Sequence, residues 1–497
     1  MMQIKKPVSI LLSVIMVIGL FTIVPFTANA AEAVEYVYRW WDADAKEVKQ
    51  ETRTCSDYTE MSERSSDELE SGWYAASGNL FIDSRLFVRN GETVNLILKD
   101  GATLNVHRGI GVESGATLNI YGQSQGTGTL EVVFDPTDER NDDNAMIGGT
   151  GEDGSSGTIS IHGGVFRLDS EGPRGAGIGG GSKGSPYIIS IYGGDISVSA
   201  FGAGAGIGGG YKASASSYNG EGIRIYGGTI EAESYTGAGI GNGYYEDSSY
   251  GSVAIYGGSV NARSLGGGAG IGGGMMGANG KIYIYGGDVN ATAEDDDGQA
   301  GAGIGSGANR PLINFEDDRD INISGGAVAA ISQTGAGIGA GYRRDAGRIN
   351  ITGGAVFACS VGGGAGIGGG FGKSGGEINI QDAIVLGYST GNVDKSLFQT
   401  VTSNMISAAQ NAIHTFGSSL DGSGLSAITA LSAAWAHCLT PAAAEVTARA
   451  SAAVTKASQA RSISKTVLSS PGAEIWAPVS AAASRAGTKI SRSKTVM

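Results

Sequence analysis

Tyrosine recurs at one position along the middle of the chain, in a spacing that could bind sugars. Tyr192, Tyr226, Tyr256 and Tyr285 each follow a short apolar motif, Ile-x-Ile or Val-x-Ile, and each precede Gly-Gly. Flat aromatic rings suit the apolar faces of sugar rings, and the phenol hydroxyl hydrogen-bonds to polar groups. The four tyrosines are therefore candidate carbohydrate-binding residues. The alternative is an aromatic stack that only stabilises the fold.

Three acidic clusters offer a second kind of chemistry: Asp138-Glu-Arg-Asn-Asp-Asp143, Asp295-Asp-Asp297 and Glu316-Asp-Asp-Arg-Asp320. Paired carboxylates hydrolyse glycosidic bonds, and oxygen-rich loops bind Ca²⁺. Solvated surface charge is the simpler interpretation, and the calcium motif Gly-Gly-x-Gly-x-Asp is absent from the sequence. We expect His107 and His162 to be exposed strand residues and not catalytic bases.

The glycine strings do not indicate a nucleotide-binding site. Gly175-Ala-Gly-Ile-Gly-Gly resembles a dinucleotide loop, but Gly-Ala-Gly-Ile-Gly occurs seven times and turns follow it. Gly372-Lys-Ser resembles the end of a P-loop, yet Ile367 occupies the position that must be Gly. A net charge of −14 also excludes a general nucleic-acid binder. The 86 Gly come with only 9 Pro and no G-X-Y period, which excludes collagen.

The glycines belong to an internal repeat between Asn144 and Gly391. The Ile of Gly-Ala-Gly-Ile-Gly, with that of a degenerate copy, recurs in steps of 29 to 34 residues. It stands at positions 147, 178, 207, 240, 271, 304, 338 and 367. A period near 31, built from short strand-like segments and Gly turns, indicates a solenoid.

Alternation within the repeat predicts three strands per coil. In Ile189-Ser-Ile-Tyr192 the isoleucines share one face and the tyrosine takes the other. After Gly-Gly, the second and fourth residues are apolar and the sixth is Ser or Ala in seven repeats. Ala-Gly-Ile-Gly supplies a third short strand. We therefore predict an all-β fold, a right-handed parallel β-helix of roughly ten coils with strands about 4.8 Å apart.

The repeat resembles a known family. Gly115-Ala-Thr-Leu-Asn-Ile-Tyr-Gly122, followed by Gly-Ala-Gly-Ile-Gly-Gly-Gly and Ile-x-Ile-Tyr-Gly-Gly units, is similar to the secreted bacterial glycine-rich β-helix proteins. These are commonly described as carbohydrate-binding or adhesin-like surface proteins. The resemblance spans residues 72–391 and implies the fold, but it transfers no site residue.

The remaining segments suggest export and capping. Residues 1–30 have the charged start, apolar stretch and small-x-small end (Ala28-Asn-Ala30) of a secretory signal, with a membrane anchor as the alternative. We expect an N-terminal cap at 31–77, irregular first coils at 78–143, repeats at 144–391 and an Ala/Ser-rich, partly helical tail at 392–497. The three cysteines, Cys55, Cys359 and Cys438, are too few and scattered for a disulfide framework.

The outward positions of the last two repeats are apolar. They are Ala327, Ala329, Ile331, Ala355, Phe357 and Cys359. An apolar surface patch of this kind implies a cover. Leu397, Val401, Met405, Ala409 and Ile413 recur every four residues, on one face of a helix. We predict that a helix at 397–413 folds back over the patch.

Together these patterns predict a secreted or surface-attached, non-catalytic protein that binds a polysaccharide or a cell-surface glycan. A polysaccharide lyase or glycosidase built on the β-helix, and a purely structural spacer, are the alternatives. No nucleic-acid partner is expected, nor any membrane contact after signal cleavage. No cofactor is expected either, with calcium in the acidic loops as the alternative.

Overall fold

The computed structural model describes residues 33–63, 67–134, 143–217, 222–245, 251–308 and 320–389. All regular secondary structure in these ranges is β-strand. No helix in them is suited to crossing a membrane. The predicted signal at 1–30, the tail at 392–497 and its helix at 397–413 lie outside the described residues.

The first two strands form an antiparallel hairpin, β1 (Val34–Asp42) and β2 (Glu47–Cys55). All later strands pair in parallel and build three sheets. The first sheet contains β3 (Thr59–Glu60), β5 (Gly72–Ala76), β8 (Thr93–Leu98), β11 (Thr117–Gly122), β14 (Ser156–Ile161), β17 (Pro186–Ile191), β20 (Ile223–Ile225), β23 (Ser252–Ile255), β26 (Lys281–Ile284), β29 (Ile321–Ile323), β32 (Arg348–Ile351) and β35 (Glu377–Ile380).

The second sheet follows the Gly-Gly turns. It contains β6 (Asn79–Ile82), β9 (Thr103–Val106), β12 (Thr129–Phe134), β15 (Val165–Glu171), β18 (Asp195–Phe201), β21 (Thr229–Ser234), β24 (Ser259–Ser264), β27 (Asp288–Ala293), β30 (Ala327–Ser332), β33 (Ala355–Ser360) and β36 (Ile384–Ser389).

The third sheet is built from shorter strands. It contains β4 (Glu68–Leu69), β7 (Leu86–Val88), β10 (Ile110–Val112), β13 (Ile147–Gly148), β16 (Ile178–Gly179), β19 (Ile207–Gly208), β22 (Ile240–Gly241), β25 (Ile271–Gly272), β28 (Ile304–Gly305), β31 (Ile338–Gly339) and β34 (Ile367–Gly368).

From β5 onward the chain visits the first, second and third sheets in turn, and each strand pairs with its equivalent one coil away. The predicted parallel β-helix is therefore confirmed. Described strands number 11 or 12 per sheet, where roughly ten coils were expected. Parallel pairing begins at Thr59, inside the segment expected to be a cap. The coils could not be traced this far from the sequence, because the first ones lack the Gly-Ala-Gly-Ile-Gly motif that marks the later ones.

Inward-facing columns of like residues form the core. The third-sheet Ile side chains from Ile147 to Ile338 are fully buried, and Ile367 in the last described coil is partly buried. The apolar positions of the second sheet, from Phe166 to Val356, are also buried. Each coil therefore stacks its side chains on identical or similar ones in the next coil, and no coil encloses a core by itself.

A glycine column follows the Ile of the third sheet because the backbones approach closely there. Gly208 has a φ of +141°, and a Cβ added to it would lie 1.9 Å from the carbonyl oxygen of Gly241. Equivalent clashes of 1.8–2.1 Å would occur at the glycines from Gly148 to Gly339. No side chain fits at these positions, so Gly is required by contact as well as by backbone conformation.

Small polar residues close the next corner. Ser234 Oγ donates to the carbonyl of Gly204 at 2.7 Å, and Ser264 Oγ donates to that of Gly237 at 2.8 Å. Ser332 makes the same bond to Gly301 at 2.6 Å. These buried hydroxyls satisfy carbonyls that the sharp turns leave without sheet partners.

Four of the six apolar outward positions of the last repeats are buried, and Ala327 and Ala355 are partly buried. Ala329, Ile331, Phe357 and Cys359 are 0–3% exposed. The helix predicted to cover them is outside the described residues, so that assignment stays a prediction. Cys55 and Cys359 are both buried free thiols, and Cys438 lies outside the described ranges.

Candidate functional site

The outward residue at the end of each first-sheet strand forms an aromatic ladder. Its members are Tyr121, His162, Tyr192, Tyr226, Tyr256 and Tyr285. Neighbouring ring centroids are 4.6–5.0 Å apart and ring planes differ by 10–25°. The four tyrosines proposed from the sequence therefore belong to one continuous stack.

Coil-to-coil hydrogen bonds hold each ring at this position. The backbone N–H of Tyr226 donates to the carbonyl of Ile191 at 2.8 Å, and that of Tyr256 donates to Ile225 at 2.7 Å. Tyr285 makes the equivalent bond to Ile255. The spacing of the rings is thus the spacing of the strands, within the range of aromatic stacking.

Beyond Tyr285 the ladder column becomes polar. Ser324, Thr352 and Gln381 take the same position in the following coils, and all three are exposed. On the same outer face, the column two residues earlier along each strand continues from Tyr283 into an asparagine ladder. Asn350 Nδ2 donates to Asn322 Oδ1 at 2.9 Å, and Asn379 Nδ2 donates to Asn350 Oδ1 at 3.1 Å. An aromatic surface thus adjoins a row of amides and hydroxyls on one face of the sheet.

Comparison with known families agrees with this architecture. Five segments match the model of the beta helix repeat: residues 223–244, 253–275, 282–308, 321–342 and 349–371. The chain is a parallel β-helix protein. No curated protein and no solved structure matches it.

The N-terminal hairpin of this β-helix packs on the ladder. Tyr36 contacts Tyr121 edge-on at 4.9 Å, and Tyr38 stacks on His162 at 5.1 Å. Trp41 packs against two rings further along, Tyr226 at 5.3 Å and Tyr256 at 5.0 Å. This contact was not predicted from the sequence. Its only signal was the run of Tyr, Val and Trp between Val34 and Trp41, which is typical of a strand with a buried face.

The hairpin divides the ladder into a covered and an open part. Tyr121 and His162 are 5% and 4% exposed, and the rings from Tyr192 to Tyr256 are partly buried. Tyr285, past the end of the hairpin, is 41% exposed. Burial raises the pKa of Tyr121 and Tyr192. The expectation that His162 is exposed was wrong, because β1 lies over it.

His162 is held in a defined orientation by the hairpin. Its Nδ1–H donates to the carbonyl of Arg39 at 2.7 Å, and the Arg39 guanidinium donates to the His162 carbonyl. The pKa of His162 is lowered to about 4, mainly by burial and also by the positive charges of Arg39 and Arg53, while the hydrogen bond to the Arg39 backbone raises it. His107 differs: it is partly exposed and pairs with Asp83 at 3.0 Å.

Charged residues also meet on the outer face of the second sheet. Arg263 donates through Nε and Nη2 to Glu294 at 3.1 and 2.9 Å, and through Nη1 to Glu233 at 3.0 Å. Burial raises the pKa of Glu233 despite this partner. The Arg263 guanidinium thus links two carboxylates, one from the coil on each side of its own.

Of the three acidic clusters, only Asp295-Asp-Asp297 lies wholly within the described residues. Asp295 caps its own turn, since its Oδ2 accepts from the N–H groups of Asp297 and Gln299 at 3.0 and 2.8 Å. Most of the other two clusters lies outside the described residues. Within the described part of the chain, no group of three or more His, Cys, Asp or Glu side chains is arranged to hold a metal ion.

A second group of tyrosines lies in the loops that follow the third-sheet strands. Tyr211 and Tyr244 stack at 5.7 Å, and Tyr245 contacts Tyr244 edge-on, at the corner between the third and first sheets. Tyr218 and Tyr250 are outside the described ranges. The described tyrosines of the repeats therefore include two separate groups, the ladder and this corner.

Proposed function

We propose that this protein is a secreted, non-catalytic glycan-binding protein. Its binding face is the outer surface of the first sheet from Tyr285 to β35. The observation that carries this proposal is the open end of the aromatic ladder beside a row of polar side chains. Export rests on the sequence of residues 1–30, and the glycan on the chemistry of the face.

A sugar chain lying along the solenoid axis suits this surface. One sugar ring stacks near Tyr285, which is 41% exposed, while Ser324 and Thr352 present hydroxyls in the coils that follow. Asn350 Nδ2 uses one N–H within the ladder and has a second N–H to offer a ligand, whereas Asn379 Nδ2 also donates to Glu377 Oε1 at 3.3 Å. The regular coil spacing repeats these groups along the chain, as a repeating polymer requires.

The experiment compares two members of the same ladder. A glycan array first identifies a ligand for the secreted chain, and calorimetric titration then measures its affinity for Tyr285→Ser and for Tyr192→Ser. We expect Tyr285→Ser to weaken binding by about 0.5–1.5 kcal/mol, the scale of one aromatic contact. Tyr192→Ser should lower the melting temperature without changing affinity, because that ring is partly buried between its neighbours.

Two results would count against the proposal. A chain that binds no glycan on the array would favour a structural spacer. If Tyr285→Ser retained wild-type affinity for an identified ligand, the protein would bind the glycan at a surface other than the one proposed.

Glycan cleavage is a second candidate, favoured by one observation. The raised pKa of Glu233 is a property of general acids in glycosidases, and Arg263 and Glu294 lie beside it. A reducing-end assay on acidic and neutral glycans tests it. Product that forms with the wild type and disappears in Glu233→Gln would support an enzyme, whereas no product would leave binding as the function.

A further inference from the structure

A second surface runs along the corner between the third and first sheets, which we call the corner ridge. In each coil the two residues after a Gly-x-Gly segment lie at this corner. The described side chains of the ridge are Ser182, Lys183, Tyr211, Lys212, Tyr244, Tyr245, Met275, Met276, Ala308, Tyr342, Arg343 and Phe371. None of them belongs to the face between Tyr285 and β35.

Backbone hydrogen bonds stack these residue pairs coil upon coil. The N–H of Lys183 donates to the carbonyl of Tyr211 at 2.7 Å, and the N–H of Lys212 donates to that of Tyr244 at 2.8 Å. Tyr245 makes the same bond to the following coil at 2.9 Å. The ridge is therefore as regular as the sheets, and its side chains repeat at the coil spacing.

The second residue of each pair has a backbone conformation that favours glycine. The φ angles of Lys183, Lys212, Tyr245, Met276 and Arg343 lie between 55° and 65°. The equivalent residue of the last described coil is Gly372, with a φ of 70°, so the corner accepts Gly. A chain with 86 glycines nevertheless places large side chains at this strained position. We infer that these side chains are retained for what they present to solvent.

What they present is a row of aromatic rings with cations. Lys212 Nζ lies 5.1 Å from the ring centres of both Tyr211 and Tyr245. At the other end, the Arg343 guanidinium lies 5.1 Å from the ring of Tyr342, which stacks on Phe371 at 5.7 Å. Lys212, Arg343 and Phe371 are exposed.

The charges of the ridge favour an anion. Lys183 pairs with Glu152, but among the described residues neither Lys212 nor Arg343 forms an ion pair. Four coils separate Lys212 from Arg343, which is about 19 Å along the axis. Tyr244, Tyr245, Met275 and Met276 lie in the two coils after that of Lys212, and Ala308 lies at the corner of the third. We propose that the corner ridge is a second binding site, specific for an acidic polysaccharide that lies along it.

This assignment is independent of the first-sheet face, so the two are tested separately. The probes are a decamer of α-1,4-linked galacturonate and its methyl ester, which has the same backbone without the charges. We expect the full chain to bind the acid form more tightly and to lose that preference in high salt, which screens exposed charges. The Lys212→Gly/Arg343→Gly double variant should bind the acid form about tenfold more weakly, equivalent to 1.4 kcal/mol.

The same variant carries a readout that a structural role would not give. Glycine relieves the strained φ at both positions, so the melting temperature should stay the same or rise while affinity falls. Lys46→Gly is the matched control, because Lys46 has a φ of 54° in the hairpin turn, away from the ridge. It should leave affinity for the decamer unchanged.

Three outcomes would overturn the proposal. Equal binding of the acid and its ester would show that charge does not contribute to recognition. Wild-type affinity in the double variant would show that the corner ridge is not the binding site. A marked fall in its melting temperature would show that Lys212 and Arg343 are retained for folding. Tyr285→Ser, measured with the same probes, should leave the acid preference intact whether or not the first-sheet face binds glycans.

Discussion

The buried imidazole of His162 should make the stability of this protein depend on pH. The ring stacks between Tyr121 and Tyr192, at 4.6 and 4.9 Å, with Tyr38 of the hairpin against it. Burial is the main reason that its pKa falls from 6.5 to about 4. The folded protein therefore holds His162 neutral at pH values where the unfolded chain binds a proton.

The direction and the size of the pH dependence follow from this difference in proton binding. Since the unfolded chain binds more protons below pH 6.5, stability is complete above this value and is lost as the pH falls towards 4. A pKa that falls from 6.5 to about 4 on folding lowers the free energy of unfolding by roughly 3 kcal/mol once the pH has fallen to 4. This is a substantial part of the free energy of unfolding of an ordinary domain.

The variant His162→Tyr isolates this contribution. A tyrosine continues the ladder, since Tyr occupies the neighbouring coils, and it does not titrate in this range. Denaturant unfolding at pH 7.5 and pH 4 gives the loss of stability on acidification for each protein. We expect the loss to be about 3 kcal/mol smaller in His162→Tyr, because the carboxylates contribute equally to both.

Superimposable pH profiles for the two proteins would refute this reasoning. They would show that His162 is as solvated in the folded chain as in the unfolded one, and so that the hairpin does not cover the ladder. His107→Gln serves as the control. It removes a partly exposed imidazole outside the ladder and should leave the His162 contribution in place.

Three further predictions concern packing. Gly208→Ala should abolish folding or destabilise it by more than about 4 kcal/mol, since the added Cβ would lie 1.9 Å from a carbonyl oxygen; Gly72→Ala, with nothing within 4 Å, should melt like the wild type. Trp41→Ala should lower stability by about 1–3 kcal/mol in denaturant unfolding, and limited proteolysis should then cleave the hairpin first. Cys359, whose thiol pKa is raised by full burial, should react with iodoacetamide only on unfolding, as mass spectrometry of its peptide would show.

The sequence predicted the solenoid because its contacts repeat. Each coil packs on an equivalent coil, so Ile207 and Ile240 had to occupy one column once the period and strand parity were known. The same argument placed Tyr192 and Tyr226 in one outward column. In a repeat protein, contacts between residues far apart in the sequence can be predicted from the period of the sequence pattern.

The hairpin escaped prediction for the opposite reason. Tyr38 contacts His162 and Trp41 contacts Tyr226, each pair more than a hundred residues apart in the sequence. The hairpin is not a copy of the repeat. Such a contact leaves no period in the sequence. The error about His162 followed directly, since strand parity gives the face a side chain occupies but not what covers that face.

Position along the ladder therefore separates two roles that one ring type could play. Under the hairpin, replacing a ring removes packing on the neighbouring rings and on the hairpin. Beyond the hairpin, at Tyr285, the same replacement removes the stacking contacts with Tyr256 and Tyr283 and an exposed surface that a ligand can use. A series of single Tyr→Ser variants from Tyr192 through Tyr226 and Tyr256 to Tyr285 should thus show opposite gradients. The fall in melting temperature should diminish along the series, and the loss of glycan affinity should appear only at its end. Equal thermal effects at Tyr192 and Tyr285 would mean that the ladder is a structural stack throughout, whatever the exposure of its last ring.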